Sequence, residues 1–236
     1  MATFLAGTSG YQYDHWVGPF YPEDLPREEW FAYYAERFDT VEINNTFYGL
    51  PDTETFAAWR EKSPDDFTWV LKYSRYGTHL KKLKDPEGHV TTFIERSKPL
   101  HDLMGPILVQ LPPNWHPNPD RLRAFLEVAP SDFRWAVEFR DPDWLQEPNY
   151  EILREHGAAL VIHDMIEEHP EVITADWTYL RYHGGEHGEY PHQRMEAEAE
   201  RVERYLSDGL DVYAFFNNDA HGWAIENVRQ LREYVG

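Results

Sequence analysis

The sequence contains no cysteine. That absence removes thiol nucleophiles, disulfides, thiolate zinc sites and cysteine-bound iron–sulfur clusters. No apolar run approaches the roughly 18 residues of a membrane span, and the N-terminus lacks a charged region leading into an apolar core. A cytoplasmic protein without a membrane partner is expected. No low-complexity tract, linker or composition shift marks a domain boundary, and no obligate protein partner is evident. Neither a P-loop nor a dinucleotide fingerprint occurs, so no nucleotide cofactor is indicated. Lysine is scarce: six lysines and sixteen arginines face 42 acidic residues, for a formal charge of −20. One reading is a surface adapted to high salt, where screening cancels self-repulsion; the other is an ordinary acidic protein. Under either, an anion site has to be a local exception.

What is present suffices for one core. A chain of 236 residues, 42% hydrophobic and 16% aromatic, buries roughly 70–75% of its unfolded surface as a single domain and needs no disulfide or structural metal. The local exception is also visible. Four of the six lysines (Lys72, Lys81, Lys82 and Lys84) lie with Arg75 and His79 in a stretch free of acidic residues from Phe67 to Lys84. Tyr73 and Tyr76, interleaved there, suit stacking on bases or sugars.

Short apolar runs alternate with amphipathic stretches. Strands are predicted at Thr3–Gly7, Thr40–Asn44, Phe67–Lys72, Pro106–Gln110, Arg134–Glu138, Ala158–Ile162, Thr178–His183 and Val212–Phe216. Helical spacing occupies Arg27–Phe38, Asp52–Lys62, Thr91–Leu103, Pro119–Val128, Leu145–His156, Gln193–Leu206 and Ala224–Tyr234. Eight strands with helical crossovers predict an α/β fold, a single (β/α)8 barrel of the TIM type over residues 1–236, with a doubly wound open sheet as the alternative. The sixth connection, His163 to Trp177 with Pro170 inside, has room for a short helix at most.

Strand parity then sorts side chains. Thr40, Glu42 and Asn44 share one face; Lys72 opposes Trp69 and Leu71, and Glu138 and Arg140 oppose Val137 and Phe139. An outward barrel face must be apolar to pack on helices, so the polar set points inward, at the strand C-termini where barrel enzymes build their sites. The strand ends offer Ser9, Tyr11, Glu42, Asn44, Lys72, Gln110, Glu138, Arg140, His163, Asp164, Arg181, His183, Asn217 and Asn218.

Several segments carry a resemblance: Gly7-Thr-Ser9-Gly10-Tyr11 with Trp16, Phe20-Tyr21-Pro22, Val41-Glu42-Ile43-Asn44-Asn45-Thr46-Phe47-Tyr48, Thr78-His79, Val109-Gln110-Leu111-Pro112-Pro113, Val137-Glu138-Phe139-Arg140, Leu180-Arg181-Tyr182-His183-Gly184 and Phe216-Asn217-Asn218-Asp219. In order and over essentially the whole chain, they resemble the YecE-like family, a domain of unknown function. The resemblance implies a TIM-type barrel and no established reaction. A loose likeness of that family to barrels of the endonuclease IV type suggests DNA or phosphoester chemistry. Those barrels carry several metal-binding His, Asp and Glu, whereas these strand ends offer arginine, lysine and asparagine.

Two classes of function follow. In the first, an enzyme acts on a phosphorylated or nucleic-acid-type anionic substrate, a small molecule or a nucleic-acid fragment held in the cavity. Glu42 and Glu138 serve as base and acid, Lys72 and the arginines neutralise developing negative charge, and His183 shuttles a proton, while Lys72, Arg75, His79, Arg140 and Arg181 converge on the anion. A glycoside hydrolase using Glu42 and Glu138 is a variant, with Tyr11, Trp16 and Tyr48 stacking on sugar. In the second class the same pocket holds an anion without catalysis. Gly184 and Gly185 would let backbone N–H groups approach a ligand. No cofactor is expected, although a divalent metal on His183, His187 and His192, joined by His163 and Asp164, is an option. Arg181→Ala is expected to abolish anion binding while sparing the fold.

Overall fold

The computed structural model describes residues 2–184 and 188–236. Eight parallel strands close on themselves in chain order: β1 (Phe4–Ser9), β2 (Thr40–Ile43), β3 (Thr68–Lys72), β4 (Met104–Gln110), β5 (Trp135–Glu138), β6 (Ala159–His163), β7 (Trp177–Tyr182) and β8 (Asp211–Phe216), with β8 pairing β1. Each lies within two residues of its predicted bounds, and the open-sheet alternative falls away. Gly7 shows why β1 can sit so close to β2: a Cβ there would stand 2.3 Å from the Thr40 carbonyl oxygen.

Helices α1 (Trp30–Ala35), α2 (Asn45–Tyr48), α3 (Thr53–Lys62), α4 (Glu87–Ser97), α5 (Pro119–Val128), α6 (Glu147–Glu155), α7 (His192–Ser207) and α8 (Trp223–Val235) follow the strands. Their starts and faces are written locally. Asn118 accepts from the Arg121 N–H ahead of Pro119, and Leu122, Phe125 and Leu126 then form the buried stripe of α5. The predicted helix Thr91–Leu103 divides instead. Pro99 cannot continue the hydrogen-bond ladder, and residues Lys98–Leu103 tighten into a 3₁₀ stretch behind α4. The short α2 and a π-helical turn at Tyr76–Leu80 lie outside the predicted helical stretches.

Between β6 and β7, where the connection has room for a short helix at most, no helix forms among the described residues. Thr174 hooks this loop to β6, its hydroxyl donating to the Ala158 carbonyl and accepting from the Leu160 N–H. A cavity of about 310 Å³ remains where a sixth helix would lie, lined by His169, Glu171, Tyr182, Arg194 and Arg201 among others. None of the helices among the described residues is long and apolar enough to cross a membrane.

Two apolar cores separate according to parity. One fills the space between strands and helices with Val41, Trp69, Leu71, Val137 and Phe139. The other fills the barrel with Val70, Leu108, Ala136, Val161, Tyr179 and Phe215. Above that inner plug, one step further along each strand's inward face, lie Ser9, Glu42, Lys72, Gln110, Glu138, His163 and Arg181.

Candidate functional site

Register alone aligns this polar layer: Ser9 pairs with Glu42, Gln110 with Glu138, and His163 with Arg181. Arg181 is its hub. Nε and Nη2 donate to the two oxygens of Glu42 at 2.9 and 2.7 Å, and Nη1 donates to Glu138 Oε2 at 2.6 Å. Glu42 also accepts from the Ser9 hydroxyl at 2.7 Å, the Tyr179 hydroxyl at 2.7 Å and Asn44 Nδ2 at 3.4 Å. Glu138 is bonded in addition by Arg140 Nε. Both glutamates are fully buried and Arg181 is 1% exposed.

Burial pushes each carboxyl up, but the charges override it. Arg181 holds Glu42 below its ordinary value, with help from Lys72, and Arg181 and Arg140 hold Glu138 well below. Neither carboxylate has the raised pKa of a general acid, nor an oxygen free of cationic donors for a base. The assignment of Glu42 and Glu138 as catalytic base and acid therefore does not fit their surroundings. The glycosidase variant does not fit either, because Arg181 lies between the carboxylates where a sugar would have to enter. Arg181 itself, expected as an open anion receptor, is spent on the two glutamates.

Lys72 stands apart from that neutralised group. It is 8% exposed; Nζ donates to Gln110 Oε1 at 2.7 Å and sits 4.5 Å from the Phe47 ring centre. Burial and repulsion from Arg181 bring its pKa down to about 8, against the pull of Glu138 and Glu42. His79 packs on the other part of this corner, its ring 5.0 Å from Phe47 and Nδ1 at 2.9 Å from the Thr78 hydroxyl. Burial, then the charges of Lys72, Arg75 and Arg140, bring His79 down to about 4, so it is neutral at pH 7. Arg75 is exposed on the rim.

A second chain of bonds leaves the layer through Arg140. Its Nη2 lies 2.8 Å from His183 Nε2, and His183 Nδ1 lies 3.2 Å from Asp164 Oδ1. Guanidinium only donates, so Nε2 accepts and Nδ1 carries the proton toward Asp164. Asp164 also accepts from the Tyr190 hydroxyl, and these bonds hold its carboxyl below the ordinary value despite burial.

The remaining expected residues lie elsewhere. Tyr11 and Trp16 are buried in the aromatic packing beside β1, with Trp16 Nε1 donating to the Asp219 carbonyl at 2.8 Å, so neither offers a stacking face. Tyr48 is 77% exposed at the end of α2. Asn218 is buried against Gly188 and Asn227, while Asn217 is half-buried at the end of β8. Among the described residues His163, His183 and His192 do not converge as a metal set. His163 is closed at both nitrogens, by the Phe139 carbonyl and the Met165 N–H, and His192 meets Tyr234 on the surface. His187, and Gly185 in the glycine pair, lie outside the described residues. Two members of the network were missed. Tyr179 shares the inward parity of Arg181, a signal available in the sequence; Tyr190 reaches in from beyond the strand, with no such signal.

A family model described as "Protein of unknown function DUF72" matches residues 5–236. Among curated relatives, UPF0759 protein YecE of Escherichia coli K12 is 36% identical over 112 residues, 47% of this chain. That match spans only 41% of the relative's own length. UPF0759 protein YunF of Bacillus subtilis is 24% identical, with 91% of this chain and 89% of the relative covered. A solved DUF72 family protein from Thermotoga maritima superposes with a TM-score of 0.81 at 29% identity, covering 98% of each chain. A solved D-psicose 3-epimerase superposes at 0.56 with 10% identity over 100% of this chain and 97% of its own, a likeness of fold alone.

Proposed function

The chain belongs to the DUF72 family, and from that premise we propose that the mouth of its barrel receives the anionic group of a substrate on Lys72 and Arg140. The observation that carries this reading is the condition of Lys72. A nearly buried ammonium is bonded to one neutral amide and has no carboxylate within 4.0 Å among the described residues. A charge removed from water costs several kcal/mol unless it is paired. Both glutamates of the layer are committed to arginines, so a phosphoryl or carboxylate group from outside supplies the missing counter-charge. Arg140, 13% exposed and with Nη1 unbonded among the described residues, offers the second contact. The charges of Lys72, Arg75 and Arg140 all lower His79, which supports reading them as facing one region of the barrel mouth.

The same residues support acid–base chemistry on such a substrate. A lysine with its pKa near 8 exchanges protons close to neutral pH. His183 is held in the Nδ1–H form by Asp164, and an anion that also draws Arg140 Nη2 away from His183 leaves Nε2 as an open acceptor. Glu42, Arg181 and Glu138 form the rigid floor beneath these groups rather than reacting.

Phosphate titrated at constant ionic strength tests the reading. The wild type is expected to show a saturable rise in melting temperature, equivalent to about 2.7 kcal/mol at a hundredfold excess over the dissociation constant. Lys72→Met should lose it. An absent shift, or an undiminished one in Lys72→Met, overturns the assignment.

A further inference from the structure

We propose that His116, Asp141 and Asp143 bind one divalent transition-metal cation where the loops after β4 and β5 meet at the barrel rim. Packing brings the two loops together. Trp144 stacks on Phe139 with ring centres 5.0 Å apart, and its Nε1 donates to the carbonyl of Trp115, whose own ring lies 5.1 Å away. His116 is the next residue in the chain and is thereby set against the turn that begins at Asp141.

The three donor atoms converge. His116 Nδ1 lies 3.2 Å from Asp143 Oδ2 and 3.4 Å from Asp141 Oδ2, and all three lie within 4.8 Å of one another. A cation with bonds of about 2.1 Å places neighbouring donors roughly 3.0 Å apart in octahedral and 3.4 Å apart in tetrahedral geometry. Asp141 is the second, separate indication. Its side chain is nine-tenths buried, and Oδ1 is fixed by the Asp143 N–H at 3.1 Å. Oδ2 accepts no hydrogen bond among the described residues and is directed at the imidazole. No lysine or arginine among the described residues approaches either carboxylate within 4.0 Å. One imidazole cannot neutralise two carboxylates, and a divalent ion does. An imidazole with two carboxylates favours first-row transition metals over magnesium or calcium. Three protein donors leave further coordination positions open to water or a ligand. This set shares no residue with the histidines after β7.

The test uses the full chain stripped with EDTA and titrated with Mn²⁺, with free ion followed by its electron paramagnetic resonance signal. In about 0.5 M potassium chloride the diffuse attraction of an acidic surface is screened within a few ångströms. One saturable equivalent is expected. His116→Ala and Asp143→Asn, both at exposed positions that the fold does not need, should each weaken binding roughly tenfold or more, while His192→Ala leaves it unchanged. Absence of a saturable equivalent, or wild-type affinity in both His116→Ala and Asp143→Asn, overturns the proposal. The phosphate titration reads different residues, so either result stands without the other.

Discussion

Replacing Arg181 by methionine removes the hub of the polar layer while keeping most of its volume. Arg181 gives three hydrogen bonds of 2.6–2.9 Å to carboxylates with no solvent exposure of their own. Breaking a buried ion pair by deleting one partner costs about 3–5 kcal/mol. Compensation remains: Glu42 keeps Ser9 and Tyr179, and Glu138 keeps Arg140. The loss should therefore lie near the low end, about 3 kcal/mol, which lowers the melting temperature by roughly 6–12 °C in a domain of this size. The pH dependence identifies the cause. In the wild type both carboxyls are held below their ordinary values, so their contribution is complete above that range and is lost as pH falls through it. Without Arg181, burial is less opposed and the carboxyl values rise; stability is then present at low pH and lost as pH increases. Urea unfolding at pH 5 and pH 8 should show the larger deficit at pH 8. A variant within about 1 kcal/mol of the wild type, or a deficit independent of pH, refutes this account of the layer. It also reverses the sequence-based expectation that Arg181→Ala spares the fold.

Lys72→Met should be more stable than the wild type at pH 7, by about 1–3 kcal/mol, because it removes a nearly buried charge bonded only to a neutral amide among the described residues. The lysine's folded-state value is depressed to about 8, so the wild type should close the gap as pH rises from there toward 10.5; a constant gap in denaturant titrations counts against the assignment. Salt separates the two readings of the −20 surface. Molar potassium chloride should raise the melting temperature if the acidic surface is an adaptation, and a flat or falling curve leaves an ordinary acidic protein.

Much of the barrel was legible because strand runs in a parallel sheet are short, apolar and bounded by turn residues. Parity placed Glu42, Lys72, Glu138 and Arg181 on one inward layer for the same reason: a period of two admits no other arrangement once the outer face is apolar. What parity cannot supply is pairing across the barrel. Glu42 and Arg181 lie 139 residues apart, and nothing local indicates that the arginine is consumed by two glutamates while Lys72 has no carboxylate within 4.0 Å among the described residues. Loops escaped for a related reason. Trp16 and Tyr11 look like stacking platforms in a glycine-rich segment, yet tertiary packing turns both into core. His116 and Asp141 come together only because Trp144 ties two loops across 29 residues.

The joining of β8 to β1 has a consequence for how the chain acquires its fold. Phe4 pairs with Val212, and the Thr3 N–H donates to Asp211 across 208 residues, so the final stave needs contacts between the two ends of the chain. Loop-closure entropy grows only slowly with such separation, but it must be met before the closing contacts reward it. Until closure, Ser9 on the first strand and Arg181 on the seventh cannot both reach Glu42. The polar layer would then sit at an open edge, with its carboxylates hydrated and their ordinary acidities restored. Burial of those charges therefore requires closure, and refolding followed by stopped-flow fluorescence should slow in acid, when protonated glutamates offer Arg181 no partner to close upon.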